Sequence, residues 1–275
     1  MLLAASILRI PARRIRALAL GDDRALHDWL VDESVERIAQ ARIEARIAYD
    51  RLQTLQARLV ALGTPEYPAG LRDLVDPPPF LCVRGNLPAR SRWREGTAIV
   101  GTRTPDRRSR EMAYALGRNV RAPIVSGLAL GIDAAAHEGA LASGVPTYAY
   151  VGNGLAATYP TEHADLERRI VAGGGAILSE LLADESVRPW SLVRRDRLQA
   201  AHAAAIVLVQ SEADRGAMHA MRAAVRLDRP RYAFTPREGA VFAGNAQALS
   251  EGAHELDWTF DGSRDTLDDV ARGRS

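Results

Sequence analysis

The strongest constraint in this sequence is an alternation. Between residues 97 and 234, short apolar runs rich in Val, Ile and Ala recur, and between them stand loops and helical patterns. The runs occupy 97–101, 123–126, 146–151, 176–179, 205–209 and 231–234, and the helical patterns 110–120, 132–142, 161–172, a stretch from 193, and 217–227. Runs this short and this uniformly apolar read as strands buried on both faces. Strands separated by helices predict an α/β chain with a doubly wound, mostly parallel sheet. Ligands of such sheets bind beyond the carboxyl ends of the strands. That rule gathers Gly101-Thr102-Arg103, Ser126-Gly127, Gly152-Asn153-Gly154, Ser179-Glu180 and Ser211-Glu212 on one rim.

Outside the alternation the pattern changes. Residues 1–62 read as a helical accessory region, with a short helix at 22–30 and a longer one at 33–62. In the longer one Leu52, Leu55, Leu59 and Leu62 recur at three- and four-residue steps, giving a single apolar stripe. Gly63-Thr64-Pro65 ends it. A proline-rich connector follows, holding one buried-strand candidate at 80–84. The domain reading is therefore 1–62 accessory, 63–259 main domain and 260–275 a polar, disordered tail.

Composition excludes several chemistries. All 36 fixed side-chain cations are arginine, since the chain has no lysine. Lysine Schiff-base catalysis and a Walker-type phosphate loop are thereby ruled out. The net charge of +2 is too small to indicate nucleic acid, so the grouping of arginines matters more than their number. The single cysteine, Cys82, permits no intrachain disulfide, and the six histidines lack ligand spacing, so no metal and no cofactor are expected. No apolar run reaches the roughly 18 residues of a spanning helix. The first residues are apolar before they are basic, the reverse of a signal peptide, so a cytoplasmic protein without a membrane partner is expected.

The rim loops carry the chemistry. Gly101 ends a strand and places Arg103 over the rim, where a guanidinium and backbone N–H groups suit phosphate. The stretch 126–137 reads as strand, glycine loop and helix start. Gly127 and Gly131 permit a tight turn, and the helix N-terminus favours an anion. It is not the dinucleotide G-x-G-x-x-G. Asp133 and His137, spaced i, i+4, share a helix face; they read either as a helix cap with a packed histidine or as an acid–base pair. Arg194, Arg195 and Arg197 crowd a helix start, against the helix dipole, which points to an anionic partner. Arg215 and Gly216 offer a further anion contact, and Tyr159 and Trp190 are the candidates for base stacking.

Taken in order, these loops resemble the DprA/Smf family of DNA-processing proteins. The resemblance rests on Tyr67-Pro68, Asp76-Pro77-Pro78, Val100-Gly101-Thr102-Arg103 and Ser126-Gly127-Leu128-Ala129-x-Gly131-Ile132-Asp133-x-x-Ala136-His137. It continues through Gly154-Leu155, Tyr159-Pro160, Leu178-Ser179-Glu180, Arg195-Asp196-Arg197 and Gly244-Asn245, and so spans about residues 65–253. It implies an extended Rossmann-like fold that binds single-stranded DNA without catalysis, forms a homodimer and loads RecA during natural transformation. The DNA contacts it implies are Arg103, Ser126, Gly127, Gly131, Arg195 and Arg197; the rim reading adds Gly101 and Arg194, with Asp133 and His137 bracing the loop. Asp196 stands where the family has Asn, and the sequence stops without the winged-helix module many members carry. The hydrolase signature P-G-G-x-G-T-x-x-E of wider relatives is absent. The alternative is a nucleotide-binding or nucleotide-cleaving sensor domain using Asp133, Glu180 or His137.

Overall fold

The computed structural model of the chain describes residues 2–7, 12–22, 34–87, 96–262 and 267. The strands are β1 (Ala57–Ala61), β2 (Phe80–Gly85), β3 (Thr97–Val100), β4 (Ile124–Ser126), β5 (Thr147–Tyr150), β6 (Ala176–Ser179), β7 (Ala205–Leu208), β8 (Arg231–Phe234) and β9 (His254–Leu256). The α-helices are α1 (Leu2–Ile7), α2 (Ala12–Ala19), α3 (Val35–Thr54), α4 (Arg107–Asn119), α5 (Ile132–Ser143), α6 (Ala164–Ala172), α7 (Pro189–His202), α8 (Gly216–Arg226) and α9 (Ala243–Ser250). The strands join in one sheet of order β1-β2-β6-β5-β4-β3-β7-β8-β9. From β6 to β9 every neighbour is parallel, while β2 runs antiparallel to β6 and β1 antiparallel to β2.

The apolar runs form this sheet because both their faces are covered. Along β3, Ala98 and Val100 join a core with Leu198, Ala201, Met218 and Met221 of α7 and α8, whereas Ile99 joins Ala113 and Leu116 of α4 and Ala136 of α5. Alternate side chains of one strand thus fill two cores, which is what a period of two does in a doubly wound sheet. A third core packs Cys82 and Phe80 of β2 against Leu52 of α3 and Ile170 of α6. Arg84 ties this edge down, its Nη1 lying 2.5 Å from Glu167 Oε1 on α6.

The stretch expected as one helix over 33–62 divides. Helix α3 stops at Thr54, Gln56 takes a left-handed φ of 54°, and residues 57–61 become β1. Leu52 and Leu62 are both buried, but Leu52 sits on α3 and Leu62 in the turn just after β1. The leucine spacing fits a helix locally; pairing of Ala57–Ala61 with Phe80–Arg84 overrides it. Residues 23–30 of the other expected helix lie outside the described residues. Of the segment expected to be a disordered tail, Phe260 and Leu267 pack beside the second core, and Tyr232 Oη donates to Leu267 O at 2.9 Å. Residues 263–266 and 268–275 lie outside the described residues. No helix among the described residues is long and apolar enough to cross a membrane.

The strand order fixes where a ligand fits. The chain builds outward from β3 through β4, β5 and β6, then returns to the other side of β3 with β7. Loops leaving β3 and β7 therefore depart to opposite faces and leave a crevice between them.

Candidate nucleic-acid interface

The crevice begins with glycines that let three loops touch. The N–H of Thr102, just after β3, donates to Gln210 O just after β7 at 2.7 Å, and the N–H of Ile132 donates to Thr102 O at 3.2 Å. Gly131 has a φ of 81°, and a Cβ there would sit 2.5 Å from Thr102 O, so only glycine fits. At Gly101 a Cβ would meet the Ile132 side chain at 2.6 Å. Ser126 Oγ donates to Ile99 O at 2.7 Å, stitching β4 to β3 below the loop.

Beneath the glycine loop lies a buried charge cluster. Asp133, in the first turn of α5, accepts from the N–H groups of Gly127 at 3.1 Å and Ala129 at 3.3 Å. Arg195 of α7 lies 3.7 Å from Asp133 (Nη1 to Oδ2) and 3.2 Å from Asp196 (Nε to Oδ1). A Cβ on Gly127 would lie 1.1 Å from Arg195 Nη1, so the guanidinium fills the space that glycine leaves. Burial pushes the Asp196 carboxyl up to about 7, against the opposing pull of Arg195, while Asp133 adds to the rise. Burial also raises Asp133, again against the pull of Arg195.

The other arginines of α7 are held as well. Arg197 pairs with Glu180 at 2.8 Å and Asp76 at 3.5 Å, and Arg194 reaches Glu180 at 3.3 Å. Arg195 and Arg197 are therefore drawn beneath the rim, while Arg194 stays half exposed. His137 is buried with Nδ1 2.6 Å from Thr147 Oγ1 of β5, and burial lowers its pKa to about 3, which keeps it neutral at physiological pH. It hydrogen-bonds to β5 and not to the glycine loop.

Above this floor opens a cavity of about 480 Å³. Its walls are Gly101 to Thr104 after β3, one face of α7 including Leu192, Val193, Asp196 and Gln199, and the start of α8 at Arg215, Gly216 and Ala217. Arg103 at its mouth is exposed and forms no ion pair among the described residues. Arg215 is largely exposed and pairs with Glu212 at 2.8 Å. A narrower pocket beside it runs between Gly127, Arg195 and Tyr159. Tyr159 and Trp190, 37% and 51% exposed, are not core residues. No group of three or more His, Cys, Asp or Glu suited to a metal occurs among the described residues.

Two side chains that sequence reasoning left without a role complete the frame. Asn245 is fully buried; its Nδ2 donates to Val209 O and Phe234 O, both at 3.1 Å, and its Oδ1 accepts from the Ser211 N–H at 2.9 Å. It fixes the carboxyl end of β7. Gln210 Oε1 accepts from the Asp106 N–H at 3.0 Å, joining the β7 loop to the start of α4. Gly244-Asn245 stood in the sequence only as part of the resemblance, and Gln210 carries no spacing signal; the tertiary structure gives each its partner.

The sequence profile of DNA recombination-mediator protein A matches residues 58–264. The chain belongs to that family. It is 32% identical over 203 residues to Protein Smf of Escherichia coli K12, covering 72% of this chain and 51% of that protein. It is 30% identical over 173 residues to Protein Smf of Borreliella burgdorferi, covering 61% of this chain and 54% of the relative. The chain thus spans about half the length of these curated relatives. Among solved structures it resembles DNA processing protein A (DprA) of Streptococcus pneumoniae, with a TM-score of 0.71 at 24% identity over 80% of this chain and 77% of that one. It also resembles DprA of Helicobacter pylori, with a TM-score of 0.64 at 28% identity over 73% of this chain and 90% of that one. The latter structure was described for its single-stranded DNA binding mode. The matched span of this DNA recombination-mediator family member includes Ser126-Gly127, with the Arg195 guanidinium directly below the loop.

Proposed function

We propose that this chain is a non-enzymatic single-stranded DNA-binding protein that holds phosphates on the rim of the β3–β7 crevice. One observation carries the reading. Arg103, exposed and unpaired among the described residues, stands over glycine loops at the mouth of the large cavity. Arg215 and the free N–H groups at the start of α8 face it across the opening. Guanidinium and helix N-termini together bind phosphate without regard to sequence. Exposed Tyr159 and Trp190 give bases a surface on which to stack. Family membership supports the same reading, and with it DNA processing in natural transformation, homodimer formation and the loading of RecA.

Arg103→Ala combined with Arg215→Ala tests the proposal, with binding to a labelled oligothymidylate followed by fluorescence anisotropy from ~50 to ~200 mM salt. The double variant should stay folded and weaken binding at least about tenfold. The salt slope should flatten by about 0.7 for each lost contact. Unchanged affinity and slope in a folded double variant would reject this rim.

A further inference from the structure

We infer that the bound strand continues past the rim, from Arg103 along the exposed face of α4, with its phosphates on the arginines of that helix and a base on Tyr114. The inference rests on the single-strand reading above. Its first support is the placement of charge. α4 carries four arginines and one glutamate, a net +3, against +2 for the whole chain. Arg107, Arg110, Tyr114 and Arg118 follow one another at steps of three, four and four, and so share one side of the helix. All four are exposed, while Ser109, Met112, Ala113 and Leu116 are buried on the other side. At 1.5 Å per residue the exposed stripe is about 17 Å long.

The second support is that the fold does not balance this charge. Arg107 pairs with Glu111, the one acidic side chain of the helix, at 2.8 Å. Arg110 and Arg118 have no ion-pair partner among the described residues. The exposed arginines of α6 differ: Arg168 and Arg169 pair with Asp165 and Glu138. Arg118, in the last turn of α4, suits the helix dipole, but Arg107, Arg108 and Arg110 at its start oppose it, with no acidic side chain in the first turn. A polyanion laid along the face offsets both the dipole and the mutual repulsion.

The third support is continuity with the rim. Arg103 at the cavity mouth precedes Arg107 by four residues, so the stripe starts where the rim ends. The carboxylate between them does not face the strand uncompensated. Asp106 accepts from the Ser109 N–H at 2.9 Å and pairs with Arg237. Tyr114, 38% exposed, lies between Arg110 and Arg118. An aromatic ring among cations is the pattern of surfaces that hold single strands without regard to sequence. A duplex keeps its bases stacked inside and would leave the ring unused.

The test uses labelled oligothymidylates of ~6 and ~16 nucleotides, spanning short and long single-strand sites. Anisotropy titrations across salt compare the wild type, Arg110→Gln with Arg118→Gln, Tyr114→Ala, and the Arg103→Ala, Arg215→Ala rim variant. Glutamine is a good helix former, so the double α4 variant should stay folded. It should bind the longer strand at least about fivefold more weakly, with a salt slope flatter by about 0.7 per arginine, and the shorter strand within about twofold of wild type. Tyr114→Ala should weaken the longer strand at least about fivefold with its slope unchanged, and carries the test alone should the double variant fail to fold. The rim variant should weaken both lengths. Unchanged affinity for the longer strand in a folded α4 variant, or equal weakening of both lengths, overturns the track and leaves the rim standing. Weaker long-strand binding by the α4 variant, with none in the rim variant, keeps the track and removes the rim. Loss of labelled polyglutamate binding, with oligothymidylate binding intact, assigns the face to an acidic protein and overturns the track. Absence of strand binding by the wild type overturns both.

Discussion

The arginines above the glycine loops and those below them belong to one basic surface in the sequence and to two different systems in the fold. Arg103 and Arg215 stand in solvent at the cavity mouth. Arg195 and Arg197 lie under the loops, each between two acidic side chains. The upper pair is exposed, Arg215 with Glu212 as its one acidic neighbour, and contributes little to stability, as exposed charges generally do. The lower pair is committed to internal carboxylates, and the Arg195 guanidinium fills the space left by Gly127. A basic cluster such as Arg194-Arg195-Asp196-Arg197 therefore says that arginine is needed there, without saying whether the guanidinium faces outward.

The largest effect that could break this division is on stability. Arg195→Ala leaves Asp133 and Asp196 buried beside no cation, and should cost about 3–5 kcal/mol. Arg103→Ala should stay within about 0.5 kcal/mol. Urea denaturation of both variants checks this, and equal stabilities would erase the distinction between floor and rim. A smaller loss, about 1–3 kcal/mol, should follow Gly127→Ala, whose methyl group displaces the Arg195 guanidinium. A double-mutant cycle sharpens the point: with Arg195→Ala already present, Gly127→Ala should be much less harmful.

The smallest predicted effect concerns pH. Asp196 is raised from the ordinary carboxylate range to about 7 by burial. Below its unfolded value it is protonated in both states; between that value and about 7 only the folded chain holds the proton. Stability from this group therefore falls as pH rises through that window. Asp196→Asn should remove this slope and leave the variant more stable at pH ~8, by at least about 1 kcal/mol. Denaturation midpoints followed from pH ~5 to ~8 read the difference, and parallel wild-type and variant curves would show that Asp196 is not the group responsible.

Much of the architecture was legible because it depends on periodicity. Each of the six apolar runs became a strand, and the loops after them did assemble at one edge of the sheet. What stayed hidden depends on tertiary partners. β1 was masked because Leu52, Leu55, Leu59 and Leu62 satisfy a helical step, and no glycine or proline marks the break at Gln56. β9, the short edge strand of His254–Leu256, has no apolar run to announce it. At the site, residue types and spacing identified the loops and the arginines. Depth was not readable: whether Arg195 lies at 5% exposure or stands in solvent is decided by Gly127 above it and by two carboxylates from α5 and α7.

The central position of β3 has a consequence for how the chain is made. Its two neighbours are β4, which follows within about thirty residues, and β7, which ends at Leu208. A ribosome adding about 5–20 residues per second therefore holds β3 with one bare edge for several seconds. The crevice is bounded by β3 on one side and by α7 and α8 on the other, so it comes into being only after the start of α8 has emerged. A nascent chain thus displays the glycine loop and Arg103 well before it owns a cavity.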